Sequence, residues 1–153
     1  MSEIIDVASR LSDSVRQLAT AVRGRSALIP SGFNVPYKTT ERFNNKVVWA
    51  IRLNAGALPN NTTKIITIPT QVTNVWGPVS ERQLDLLNCY AWNSSQEILT
   101  LPFVSPYTSI PGGNRDGFTQ SIIVTLNGNT VRILTESDRT SYTGIITVKY
   151  TRN

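Results

Sequence analysis

The sequence contains no histidine. That absence removes the base from Ser-His-Asp and Cys-His arrangements, so neither can be built within one chain. The single cysteine, Cys89, excludes an intrachain disulfide. A zinc or copper site would have no imidazole and one thiolate to draw on. Cys89 lies in the apolar, strand-like run Leu87-Asn88-Cys89-Tyr90-Ala91 and reads as a small buried residue. No stretch approaches the ~20 apolar residues of a membrane span. The opening Met1-Ser2-Glu3-Ile4-Ile5-Asp6 carries early acids instead of a long apolar run, so no signal peptide is expected. A soluble chain in a reducing compartment is the expectation.

Charge is sparse too. Charged residues make up 16% of the chain, against about 25% in ordinary soluble domains. Outside the N-terminal segment the carboxylates are Glu41, Glu81, Asp85, Glu97, Asp116, Glu136 and Asp138, and none sits in a local motif. A glycoside hydrolase needs two of them brought together by the fold; solvated loop charges are the plainer reading. Asp116 after Gly112-Gly113-Asn114, or Glu136 with Asp138, lacks the ligand density of a calcium loop. No glycine-rich phosphate loop follows a strand and opens a helix. The sequence predicts no catalytic residue, no metal and no cofactor.

What is present suits a β-rich domain. The hydrophobic fraction is 40%, enough for a core, and the net charge is +5. The arginines are mostly single and spread along the chain, with Arg23 and Arg25 as the one local concentration. A nucleic-acid binder groups its cations with interleaved aromatics, so no nucleic-acid partner is expected.

Residues 4–23 follow a helical period. Ile4, Leu11 and Leu18 recur every heptad, and Ala8, Val15 and Val22 fall between them to complete the stripe. Gly24 stops the helix, with Pro30 and Gly32 beyond. An isolated helix of about twenty residues is marginal in water, so the stripe must be buried, on its own domain or against copies of itself. The heptad spacing and the Pro/Gly segment that follows favour self-association. Val at a with Leu at d nominally prefers dimers, but so short a seam yields to any preference of the domain it carries.

From about residue 31 the period changes to two. Val47-Val48-Trp49-Ala50-Ile51-Arg52-Leu53, Ile122-Ile123-Val124-Thr125-Leu126 and Ile146-Thr147-Val148-Lys149-Tyr150 read as strands. Thr63–Ile68, Leu84–Trp92 and Glu97–Phe103 are further candidates, and Asn127-Gly128 reads as a tight hairpin. About seven strands with turns and no second helix predict a sandwich or jelly roll. Ile122-Ile123-Val124 is apolar on both faces, as expected of a strand buried within the sheet and at a subunit contact. The organisation predicted is a helix over 1–25, a linker over 26–40 and a β-sandwich over 41–153.

Two segments carry a family resemblance. Gly56-Ala57-Leu58-Pro59-Asn60-Asn61-Thr62-Thr63-Lys64 runs into a strand, and Asp138-Arg139-Thr140-Ser141-Tyr142 precedes Ile146-Thr147-Val148-Lys149-Tyr150-Thr151. In this order and separation they resemble the C-terminal β-domain of small trimeric fibre proteins of tailed bacteriophages, both tail-fibre and head-fibre (capsid-decorating) types. The resemblance covers roughly residues 41–153. It implies a jelly-roll-type sandwich assembled as a homotrimer, an N-terminal segment docked on other virion proteins, and a location on the virion after assembly in the host cytoplasm. The chain is shorter than shafted fibres, which favours a short head fibre, decoration protein or baseplate tip.

On that basis Ile4, Ala8, Leu11, Val15, Leu18 and Val22 form the oligomer or docking stripe. Asp138 is expected to bond its own turn, Arg139 to pair with a carboxylate across a subunit boundary, and Tyr142 to pack; the same stretch also reads as a plain loop. A host-surface glycan would be met by Trp76, Trp92, Tyr107 and Arg115. Two alternatives stay open: an adaptor with no receptor, and a carbohydrate-binding module of non-viral origin.

Overall fold

A computed structural model describes residues 13–15, 32–103 and 121–153. The chain divides into two units, Met1–Ser31 and Gly32–Asn153. Of the first, Asp13, Ser14 and Val15 are described; they are α-helical and exposed. Ile4, Ala8, Leu11, Leu18 and Val22 lie outside the described residues, as do Tyr107 and Arg115.

The second unit is all-β, as its period-two pattern predicts. Its strands among the described residues are β1 (Tyr37–Phe43), β2 (Lys46–Ala57), β3 (Thr63–Thr67), β4 (Arg82–Leu84), β5 (Tyr90–Trp92), β6 (Ile98–Thr100), β7 (Ile122–Asn127), β8 (Thr130–Thr135) and β9 (Thr143–Tyr150). All strand pairs are antiparallel. The larger sheet runs β1-β2-β9-β5-β6, with β4 also paired to β9; the smaller runs β3-β8-β7.

The core follows from the alternation. On the central rungs Trp49 faces Tyr150, Ile51 faces Val148 and Leu53 faces Ile146. Ile51, Leu53, Ile146, Val148 and Tyr150 share one buried cluster with Ile122, Val124, Val131 and Ile133 of the smaller sheet, and the half-buried Trp49 packs against it. Burying each such aliphatic side chain contributes about 1.5–3 kcal/mol, which holds the two layers together without a disulfide.

Turn chemistry sets two hairpins. Asn127 pairs with Thr130 around Gly128, whose φ is +55°, with no positive φ at Asn129, the pattern of a type II′ turn. Phe43 pairs with Lys46 around Asn44 and Asn45, which have φ of +49° and +62°, as a type I′ turn requires. That second hairpin corrects the expected boundaries. It places β1 from Tyr37, so the β-domain takes in part of the 26–40 segment read as a linker.

Two other expectations change. A one-turn helix, Thr70–Thr73, and two 3-10 turns, Val79–Glu81 and Leu86–Asn88, stand where no second helix is predicted. The stretch Leu84–Trp92 is also not one strand. β4 and β5 follow the same side of β9, but the register jumps by three residues between them, and Leu86, Leu87 and Asn88 leave the ladder. Leu86 and Leu87 are both exposed, and there the strand breaks.

Candidate functional site

The two segments that carry the family resemblance come together. The turn after β2 and the loop between β8 and β9 form one corner, in which Asn60 bridges Asp138. Leu58 N donates to Tyr142 O at 2.8 Å, Arg139 N to Pro59 O at 3.2 Å, and Asn61 N to Ser137 O at 3.2 Å. The buried Thr135 hydroxyl donates to Pro59 O at 2.9 Å. These bonds satisfy backbone groups that two separate loops would leave to water.

Within the corner, Asp138 bonds its own turn as expected. Its Oδ1 accepts from Thr140 N at 2.9 Å and Thr140 Oγ1 at 2.7 Å. The Thr140 backbone bond, then its hydroxyl, holds the Asp138 carboxyl below the usual carboxylate range. Tyr142 is buried, and its hydroxyl donates to Glu97 Oε2. That bond pushes the phenol's pKa up. The Arg139 guanidinium lies 5.8 Å from the Tyr142 ring. The corner is well bonded internally and its chemistry is that of a structural joint.

The expected receptor residues separate. Trp76 is 4% exposed and belongs to the core. The one-turn helix swings it inward, where it meets the Tyr150 ring edge-on at 6.2 Å. The Arg82 guanidinium covers it at 4.1 Å from the ring centroid and donates through Nε to Gly77 O at 2.8 Å. Trp92 instead lies on the outward face of the larger sheet, 36% exposed. Nothing in the local sequence around Trp76 distinguishes these two fates, because its burial depends on a turn that periodicity does not show.

Around Trp92 the structure assembles residues the sequence reading does not group. Tyr90 stands two residues away on the same face, with ring centroids 5.9 Å apart. Asn54, Ile145, Tyr90 and Thr100 form one cross-sheet row; Thr143, Trp92 and Ile98 form the next. Arg52 Nη2 donates to Tyr90 Oη at 3.5 Å, and its guanidinium lies 5.6 Å from the Phe33 ring. Ile98 is 69% exposed beside Trp92. The exposed Trp92 beside the half-buried Tyr90, edged by an amide, a guanidinium and hydroxyls, can stack the C–H face of a sugar ring while bonding its hydroxyls. The signal was in the sequence: Tyr90 and Trp92 share a parity, with the small Ala91 between them.

Next to this face, the three-residue excursion at 86–88 is braced from below. Asp85 N donates to Thr147 O, Thr147 Oγ1 donates to Asn88 O, and Asn88 Nδ2 donates to Asp85 Oδ2, each at 2.8 Å. Lys149 Nζ sits between two carboxylates, 2.6 Å from Glu41 Oε1 and 3.2 Å from Asp85 Oδ2. Burial works against its charge, but those two carboxylates raise its pKa overall. Cys89 is buried beneath, its sulfur against Thr147, and burial pushes the thiol up to about 11. A thiol so protonated is a poor nucleophile.

Between β4 and β7 the layers part into an open groove of about 530 Å³, lined mainly by Val79, Leu84, Leu86, Val124 and Leu126. Among the described residues, no three of Cys, Asp and Glu converge on a point where a metal would sit. No described helix is long and apolar enough to cross a membrane. No family model, no curated protein and no solved structure matches the chain.

Proposed function

We propose that the chain is a structural fibre or decoration protein of a tailed-bacteriophage virion, homotrimeric and without catalytic activity. In this reading residues 1–25 dock on other virion proteins or hold the copies together. The β-domain is a jelly-roll-type knob that contributes to attachment at the host surface.

The observation that carries the proposal is the corner. The two segments on which the family resemblance rests lie far apart in the sequence, yet they are bonded to each other through Leu58–Tyr142 and the Asn60–Asp138 bridge. They therefore belong to one structural element, and their joint occurrence has a physical reason. The two-sheet arrangement around a shared core supports the sandwich form that the resemblance implies.

Attachment is assigned to the Trp92–Tyr90 face, with Arg52 and Asn54 at its edge, and to a saccharide as ligand. The carboxylates with bonded partners support a non-enzymatic reading: Glu41 and Asp85 hold Lys149, Glu81 holds Lys46 and Thr151, and Glu97 holds Tyr142. The burial of Trp76 takes one aromatic away from any receptor surface, and this favours the second reading, an adaptor that binds virion proteins alone.

Sedimentation equilibrium of the full chain at micromolar concentration tests the assembly. The expected mass is three times the 16.9 kDa of one chain. A monomer sinks the fibre reading.

A further inference from the structure

We infer that Lys38 and Arg152, gathered around Trp49, form an anion site on the β-domain whose ligand is a phosphate group.

Strand register builds the site. Lys38 of β1, Trp49 of β2, Tyr150 of β9 and Arg82 of β4 occupy one cross-strand rung, so their side chains share a face. Arg152 arrives from the segment after β9. An isolated bridge pairs it with Trp76. Asn153 fastens the chain there, its N donating to Val75 O and its Nδ2 to Trp76 O, each at 3.0 Å. From that anchor the Arg152 guanidinium stacks on Trp49, 3.3 Å from the ring centroid. The Lys38 ammonium lies 5.5 Å from the same centroid. Cations that stand singly along the sequence thus meet around one indole.

Two observations point to a ligand. The first is charge without a counter-charge. Among the described residues no carboxylate pairs with Lys38 or Arg152: Glu81 is taken by Lys46 and Thr151, and Glu41 and Asp85 by Lys149. The indole attracts each cation but neutralises neither. The second is a pair of buried polar atoms. Tyr150 is fully buried, yet its Oη has no hydrogen-bond partner, and the buried Nε of Arg152 has none either. The two groups are neighbours, since the Arg152 guanidinium works against the burial that raises the Tyr150 phenol. A buried donor left unpaired costs the desolvation of that group, and the partner that both lack is an acceptor.

The donors select the anion. A carboxylate has one charge, and a single guanidinium fork occupies its two oxygens. A phosphate group brings about two charges at neutral pH and three strong acceptor oxygens, enough for a guanidinium and an ammonium together. A nucleic-acid base finds no platform here, because the Trp49 ring already carries Arg152.

The test titrates the isotope-labelled full chain with inorganic phosphate at constant ionic strength. It follows the indole N–H resonance of Trp49, assigned through Trp49→Phe. A saturable shift at millimolar phosphate is expected, with acetate binding about tenfold more weakly. Lys38→Gln alters an exposed side chain and should weaken phosphate binding about tenfold, the loss of one charge-assisted hydrogen bond. Arg152→Gln should abolish the shift, with far-UV circular dichroism checking that each variant is folded. Arg42→Gln removes an equal charge from the same strand, where its guanidinium is bonded to Asn45 O, and should change nothing. Glucose 6-phosphate separates the sources of the group. Tighter binding than inorganic phosphate assigns it to a phosphorylated saccharide, and equal binding to the free ion. Three results overturn the site: no saturable shift with either phosphate, acetate binding as tightly as phosphate, or equal weakening by Lys38→Gln and Arg42→Gln.

Discussion

Leu58 occupies the space above Gly144: a Cβ placed on that glycine would meet Leu58 Cδ2 at 2.9 Å and the Cβ of Ala55 at 3.2 Å. Gly144 is the rung on which β9 lies between Gly56 of β2 and Ala91 of β5. The requirement at Gly144 is therefore for room, and the same side chain that takes the room belongs to the corner segment bonded to Tyr142.

It follows that Gly144→Ala overpacks the corner and is expected to destabilise the fold by about 1–3 kcal/mol. Urea unfolding should show a lower midpoint with an unchanged slope. Leu58→Ala alone removes a fully buried side chain and is expected to cost about 2–5 kcal/mol. Combined, the two should cost less than their sum, because the alanine at 58 leaves the space that the new methyl needs. Strict additivity would mean that Leu58 does not press on Gly144.

The buried thiol gives a stability effect with a definite sign. Burial raises Cys89 to about 11, while the unfolded thiol ionises near about 8.5. The neutral form is the one the fold favours, so its contribution is complete below pH 8.5 or so and is lost as pH rises toward 11. The loss amounts to roughly 3 kcal/mol. The phenols of Tyr37 and Tyr150, raised chiefly by burial, act in the same direction at higher pH. Urea midpoints measured between pH 8 and 10.5 should fall steadily. In the native protein at pH 8, Cys89 should react with an aromatic disulfide far more slowly than after unfolding. Equal rates would place the thiol at the surface.

Where the sequence was legible, one physical reason recurs. β3 and β7 alternate because one side of each strand meets the core, while β2 and β9 show as long apolar runs because part of each is buried on both faces. The Asn127-Gly128 turn announces its hairpin through the φ that glycine permits. β1 was missed because Tyr37-Lys38-Thr39-Thr40-Glu41-Arg42-Phe43 lies at the sheet edge with five exposed positions, so burial imprints little on it. The break after Leu84 depends on bonds from Thr147, a residue far along the chain, and local periodicity does not register them. The site divides the same way. Tyr90 and Trp92 share a face by parity, but Arg52 and Asn54 reach it only through strand register.

Of the three tryptophans, Trp76 and Trp92 should behave differently, and this separates receptor binding from packing. Trp76 is interior, wedged against Tyr150 and covered by Arg82, so Trp76→Ala is expected to destabilise the fold by about 3–5 kcal/mol. Trp92 keeps a third of its surface in water, so Trp92→Ala should change stability by about 1 kcal/mol or less. Iodide should quench the fluorescence of Trp92 and leave that of Trp76. If the Trp92–Tyr90 face holds a saccharide, Trp92→Ala should abolish retention of the full chain on immobilised bacterial surface polysaccharide, with the oligomer mass unchanged. Replacing Arg52 by Ala should weaken that retention by about tenfold, the loss of one charge-assisted hydrogen bond. Retention that survives Trp92→Ala would move the ligand off this face. Wild-type protein that retains on no such surface would leave the adaptor reading, in which the knob binds virion proteins alone.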